Sequence, residues 1–169
     1  YDGMLMKDMD KAIDILKEKI LEDKKIRVIG DYDIDGVNAT YILLEGLERL
    51  GADVDSDIPD RISDGYGLNR HLVERAYEAG VDTLITCDNG IAAADEIAYG
   101  KEMGMTVIVT DHHEVPFDEH DGEKRYRIPP ADAVMDPKQP DCLYPFKGLC
   151  GAAVAYKLME ALWESMGKD

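Results

Sequence analysis

Cysteine is scarce in this chain of 169 residues. Cys87, Cys142 and Cys150 are odd in number and share no CxxC spacing. That excludes a disulfide framework and a zinc ribbon, and predicts three small residues in or near a core in a reducing cytosol. Bases are also few, 19 against 36 acids, for a net charge of −17. A domain that clamps nucleic acid by itself normally carries a basic stripe. Either this chain does not hold nucleic acid, or another part of a longer protein supplies the clamp. A dense acidic surface would instead concentrate divalent cations. No apolar run reaches the ~18 residues of a membrane span, and no secretory leader opens the chain. The opening Tyr1-Asp2-Gly3-Met4 reads as the interior of a longer protein. The phosphate loops GxGxxG and GxxxxGK[ST] are missing, as are internal repeats and low-complexity tracts.

What is present is an ordinary globular composition, 45% hydrophobic and 33% charged, at a length that suits one domain. Met9, Ala12, Ile13, Leu16 and Ile20 recur at helical spacing and predict a helix over 8–22. Short apolar strands are expected at 25–30, 83–87, 106–110 and 133–135. An acid-rich strand at 53–58 is expected at an edge or near the site. Helices are expected at 37–50, 69–79, 91–103 and 148–163, several closed by glycine. A loop is expected at 59–67 and a long polar excursion at 114–131. Strands alternating with helices predict an α/β fold: a Rossmann-like three-layer sandwich, its mostly parallel sheet of about five strands covered by helices on both faces. Residues 1–25 would form a lead-in helix and 26–169 the main lobe.

In such a sheet the site lies beyond the carboxyl ends of the strands. Asp31, Asp33 and Asp35 follow the first strand, and Asp88 and Asn89 the third. Asp111, His112 and His113 follow the fourth, and Asp136 the last. In an extended segment Asp33 and Asp35 would share one side and repel. Asp is also a favoured helix cap, which accounts for any one of these residues taken singly, Asp31 and Asp111 above all. Capping does not account for Asp33 with Asp35, nor for Asp-His-His. Carboxylates and imidazoles without thiolates suit Mn²⁺, Mg²⁺ or Fe²⁺ better than a structural Zn²⁺ site, and their number suits two ions. That chemistry fits a metal-dependent phosphoester hydrolase.

The ordered stretches DYDIDG, DNG and DHH resemble the DHH phosphoesterase superfamily. PDRISDGYGLN and PDCLYPFKGLCGAAVAYKL are similar to its single-stranded-DNA exonuclease branch. The resemblance implies metal ligation by Asp33, Asp35, Asp88 and His112, with Asp88 bridging and catalysis shared among Asp88, His112 and His113. It implies phosphate or substrate contacts by His113, Arg61, Gly65, Tyr66, Gly67 and Asn89. Asp31, Asp111 and Asp136 would support the site. It further implies a 5′ exonuclease acting on single-stranded DNA in repair and recombination, in the cytoplasm, with a single-strand-binding protein or helicase as partner. Other superfamily members cleave short RNA or cyclic dinucleotides, and a non-catalytic binding module is a further alternative. Two departures stand out. Ile29 occupies a position where many members place a ligand His. A further family ligand, a DHH-associated domain and an OB-type domain fall beyond residue 169, which implies low activity for residues 1–169 alone.

Overall fold

Seven strands and five α-helices are defined in a computed structural model that describes residues 1–63 and 65–169. In chain order they are α1 (Met9–Leu21), β1 (Lys25–Ile29), α2 (Ile34–Arg49), β2 (Asp53–Asp57), α3 (Arg70–Glu78) and β3 (Thr83–Cys87). α4 (Ala94–Glu102), β4 (Thr106–Thr110), β5 (Phe117–His120), β6 (Glu123–Tyr126), β7 (Ala133–Met135) and α5 (Gly151–Ser165) follow. β2, β1, β3, β4 and β7 form one sheet in that spatial order, with every pairing parallel. The chain departs from β1 toward β2 on one side and β3 on the other. The crevice at the carboxyl ends of β1 and β3 is therefore the topological switch point.

Parallel strands covered on both faces read as continuous apolar runs, and β3 is buried along its whole length. Ile85, Cys87, Ile108 and Met135 pack with α1, α2 and α5. Leu84, Val107, Val109 and Val134 pack on the opposite face with α3 and α4. Met9, Ala12, Ile13, Leu16 and Ile20 all enter the first of these clusters, so α1 belongs to the same layer as α2 and α5. The three-layer sandwich expected from the sequence is the observed fold. β2 is an edge strand as expected, and two of its acids are matched. Asp55 accepts two 2.8 Å hydrogen bonds from Arg27, and Asp57 is held by Arg75 of α3.

Several boundaries differ from expectation. α2 begins at Ile34 rather than 37, because Asp33 caps it: Oδ1 accepts the Gly36 N–H at 2.6 Å. Asp33 and Asp35 are thus a helix cap and a first-turn residue, not alternate positions of an extended segment. α4 starts three residues later than expected, after the positive-φ Gly90. α5 starts at Gly151 rather than 148. The polar excursion contains an antiparallel hairpin, β5 with β6. Cys87 and Cys142 are buried but Cys150 is exposed, because it is the residue preceding α5. Within the expected loop, Asp64 lies outside the described residues.

Candidate metal centre

Four strand ends place acids in one crevice, and those acids are buried: Asp31 and Asp136 fully, Asp88 and Asp111 to 1% exposure. Asp88 sits in the left-handed region at φ +61°, a conformation that Asp tolerates better than most residues. The turn is held by Asn89. Its Nδ2 donates to the carbonyls of Ile29, Gly30 and Cys87, and its Oδ1 accepts from the Leu68 N–H. Asn89 was expected to touch substrate, but its side-chain amide is spent inside the protein, tying β1 to β3.

The two histidines are held differently. His112 Nε2 lies 2.7 Å from Asp88 Oδ1 and 3.4 Å from Asp35 Oδ2. His113 Nδ1 lies 2.6 Å from Asp111 Oδ1, which also accepts the His112 N–H. The other oxygen of Asp111 accepts the Ile91 N–H at 3.0 Å. Asp88, Asp111, His112 and His113 each offer a ligand atom, and all four atoms lie within 4.8 Å of one another. This tight group shares Asp88 and His112 with the expected ligand set. Asp35 borders it through His112, and Asp33 and Asp35 both flank Asp88. Asp111 and His113, expected in supporting and phosphate-contacting roles, fall inside it. Asp136 accepts the Lys138 N–H through Oδ1, which keeps it at the end of β7. Ile29, at the position where a His was expected from the resemblance, is core and packs toward α3 and α4.

Asp35 makes a connection that was not read from the sequence. Its two oxygens accept the N–H groups of Gly151 and Ala152, each at 2.8 Å, so it caps α5 from across the molecule. A Cβ on Gly151 would fall 2.7 Å from the Asp88 carboxylate, so only glycine lets α5 approach this closely. The segment around Gly151 carried the family resemblance, but nothing local in it signals a partner 116 residues away.

Tyr66 is presented between Gly65 and Gly67, both at φ near +75°, where glycine is favoured. Its hydroxyl donates to Asp33 Oδ2 at 3.2 Å, and its ring meets those of Tyr32 and His113 edge-on. The exposed Arg61 guanidinium lies 5.6 Å from the Tyr32 ring centroid. Tyr32 was not expected to take part.

The electrostatics follow from burial and crowding. Burial, then the charges of Asp35 and Asp33, pushes the Asp88 carboxyl up to about 8. Burial alone would raise Asp35, but the Ala152 and Gly151 N–H donors outweigh it and hold its carboxyl low. The Asp111 hydrogen bond raises His113 to about 9, whereas burial and the neighbouring His113 lower His112. Burial raises Asp136 to about 7 and also raises Asp31. Three carboxylate oxygens, one each on Asp31, Asp88 and Asp136, are buried without a hydrogen-bond partner. A buried anion without a partner is costly. This donor set, hard oxygens with imidazole and open acceptor capacity, fits a hard divalent cation.

The fold and site thus define an α/β protein with a carboxylate–imidazole centre at the switch point of a parallel sheet. The chain belongs to the DHH family: that family's N-terminal domain matches residues 25–169. It is 46% identical over 162 residues to the single-stranded-DNA-specific exonuclease RecJ of Bacillus subtilis strain 168, covering 96% of this chain and 20% of that protein. It is 36% identical over 165 residues to RecJ of Escherichia coli K12, covering 95% of this chain and 27% of that protein. The chain therefore spans about a fifth to a quarter of the relatives it matches. A crystal structure of exonuclease RecJ bound to manganese superposes with a TM-score of 0.83 at 36% identity, over 97% of this chain and 39% of that one. RecJ from Thermus thermophilus, in complex with Mn²⁺, superposes at 0.76 and 36% identity, over 97% of this chain and 22% of that one.

Proposed function

We propose that this chain is the catalytic lobe of a RecJ-type exonuclease, which hydrolyses phosphodiester bonds of single-stranded DNA from the 5′ end with Mn²⁺ or Mg²⁺. The observation that carries this reading is the buried Asp88, one oxygen against His112 and the other without a partner. Asp33, Asp35, Asp88 and His112 would hold the cations, Asp88 as the central ligand, and Asp111 would support them. A divalent cation there would supply a Lewis acid to polarise a phosphoryl oxygen and make hydroxide accessible at neutral pH.

The chain's own residues prepare that chemistry. Burial of Asp88 keeps bulk water from screening its carboxylate. Asp111 fixes the His113 ring through Nδ1, which leaves Nε2 to donate to a phosphate oxygen. Tyr66 steadies Asp33 and stands with Arg61 on the substrate side, and Asn89 keeps the Asp88 turn in place. The same reading brings single-stranded DNA as substrate and a cytoplasmic location. It also brings a single-strand-binding protein or helicase as partner. Among the described residues no helix is long and apolar enough to cross a membrane. Residues 26–169 make up the lobe, with the lead-in helix packed on it.

The test is release of 5′-mononucleotides from a labelled single strand with Mn²⁺, comparing the full-length protein with its Asp88→Asn variant. A loss of at least about a hundredfold, ~2.7 kcal/mol of barrier, is expected. Equal rates in the two proteins would overturn the assignment, and so would the absence of Mn²⁺-dependent hydrolysis.

A further inference from the structure

The β5–β6 hairpin has no role in the site described above. Every residue from 117 to 128 is exposed, and the two strands pair only with each other. The chain leaves the body at the buried Val115 and returns at the buried Pro129. A two-stranded ribbon by itself is marginal in water. This one is held by few contacts. The Phe117 and Tyr126 rings lie 5.8 Å apart, with the Lys124 ammonium 4.6 Å from the Phe117 ring centroid. Arg127 pairs with Asp118 at 3.5 Å. A ribbon that buries nothing contributes little to the fold.

Its composition is unusual for this molecule. Two runs in the chain hold three bases in four residues, 24–27 and 124–127. In the first, Lys25 and Arg27 are drawn onto Asp55 inside the sheet edge. In the second, Lys124, Arg125 and Arg127 are all exposed, with Tyr126 between the two arginines. Side chains alternate along a strand. Lys124 and Tyr126 therefore share one face with Phe117, while Arg125 and Arg127 line the other. Aromatic faces interleaved with bases are the chemistry that holds single-stranded nucleic acid without regard to sequence.

We propose that this hairpin is a substrate arm. Phosphates of a single strand would run along the β6 edge against Lys124, Arg125 and Arg127, and a base would rest on the Phe117–Tyr126 face. Asp118, Glu119 and Asp121, on β5 and in the turn, repel phosphates from the opposite edge, and Glu123 at the start of β6 repels them from the tip, which leaves Lys124 to Arg127 as the contact. Phe117 is four residues beyond His113, at most about 14 Å of extended chain, so the root of the arm lies near the metal centre. The inference rests on the nucleic-acid reading above and adds the place where a longer substrate is held outside the centre.

The test is fluorescence anisotropy of a dye-labelled 20-nucleotide oligothymidylate with EDTA present, at several salt concentrations. A Lys124→Ala, Arg125→Ala, Arg127→Ala triple variant should bind about tenfold more weakly. Its log–log salt slope should be shallower by about 2, ~0.7 for each base removed. A second variant, Asp118→Asn, Glu119→Gln, Asp121→Asn, should bind more tightly than the unmodified chain. Unchanged affinity and slope in both variants would overturn the arm. Failure of the catalytic reading registers elsewhere, as no Mn²⁺-dependent hydrolysis of a dinucleotide by the full-length protein, since a single linkage does not need the arm.

Discussion

Asp88 is held by geometry in a place that disfavours its charge. It is buried in the left-handed region, flanked by Asp33 and Asp35, and its carboxyl is raised to about 8. A group with a raised folded-state pKa binds a proton more tightly when folded, so the metal-free protein loses stability as pH rises toward that value. His113, raised to about 9 by Asp111, acts in the same direction. Its stabilisation is complete below ~6.5 and is lost as pH rises through about 9. Between pH 7 and 9 the metal-free melting temperature should therefore fall, and the gain from added Mn²⁺ should grow, since protons compete for the same oxygens. Thermal scans with EDTA and with Mn²⁺ across that range check both trends, and a flat metal-free profile contradicts the crowding argument. Asp88→Asn, neutral and of the same shape, should raise the EDTA melting temperature at pH 8 by a few degrees and abolish the Mn²⁺ response. A variant that keeps the full Mn²⁺ shift would remove Asp88 from the centre.

Between elements, the decisive contact is α5 against the ends of β1 and β3. Asp35 on α2 accepts the first amides of α5, and Gly151 lets the helix approach Asp88. Gly151→Ala should push the start of α5 away, destabilise by about 1–3 kcal/mol as overpacked sites do, and weaken Mn²⁺ binding together with stability. Calorimetric titration of the folded variant checks this, and unchanged Mn²⁺ affinity would uncouple α5 from the centre. Some of these elements were legible in the sequence. β3 and β4 are buried on both faces, so they appear as unbroken apolar runs bounded by turn residues. The buried stripe of α1 appears as the spacing of Met9 to Ile20. The β5–β6 hairpin was not legible, because FDEH and EKRY have no apolar alternation to mark a buried face. The start of α2 was misjudged, since Asp33-Ile34-Asp35-Gly36 looks extended until Asp33 is seen to cap.

For the whole molecule, the parallel topology gathers Asp31, Asp88, Asp111 and Asp136 from strands far apart in sequence. That convergence was legible, because each strand ends in Asp and such sheets carry their sites at that edge. The identity of each partner was not: the bond of Asp35 to α5 and the internal use of Asn89 are set by tertiary contacts. A net charge of −17 opposes a polyanion over most of the surface, which leaves substrate capture to local features such as the β6 edge. The central claim, that the strand ends form a divalent-metal centre, is tested most directly by anomalous diffraction at the manganese edge from crystals grown with Mn²⁺. The account predicts an anomalous peak in contact with Asp88 and His112. Crystals with no peak at those two residues, or with manganese only elsewhere on the acidic surface, would contradict it.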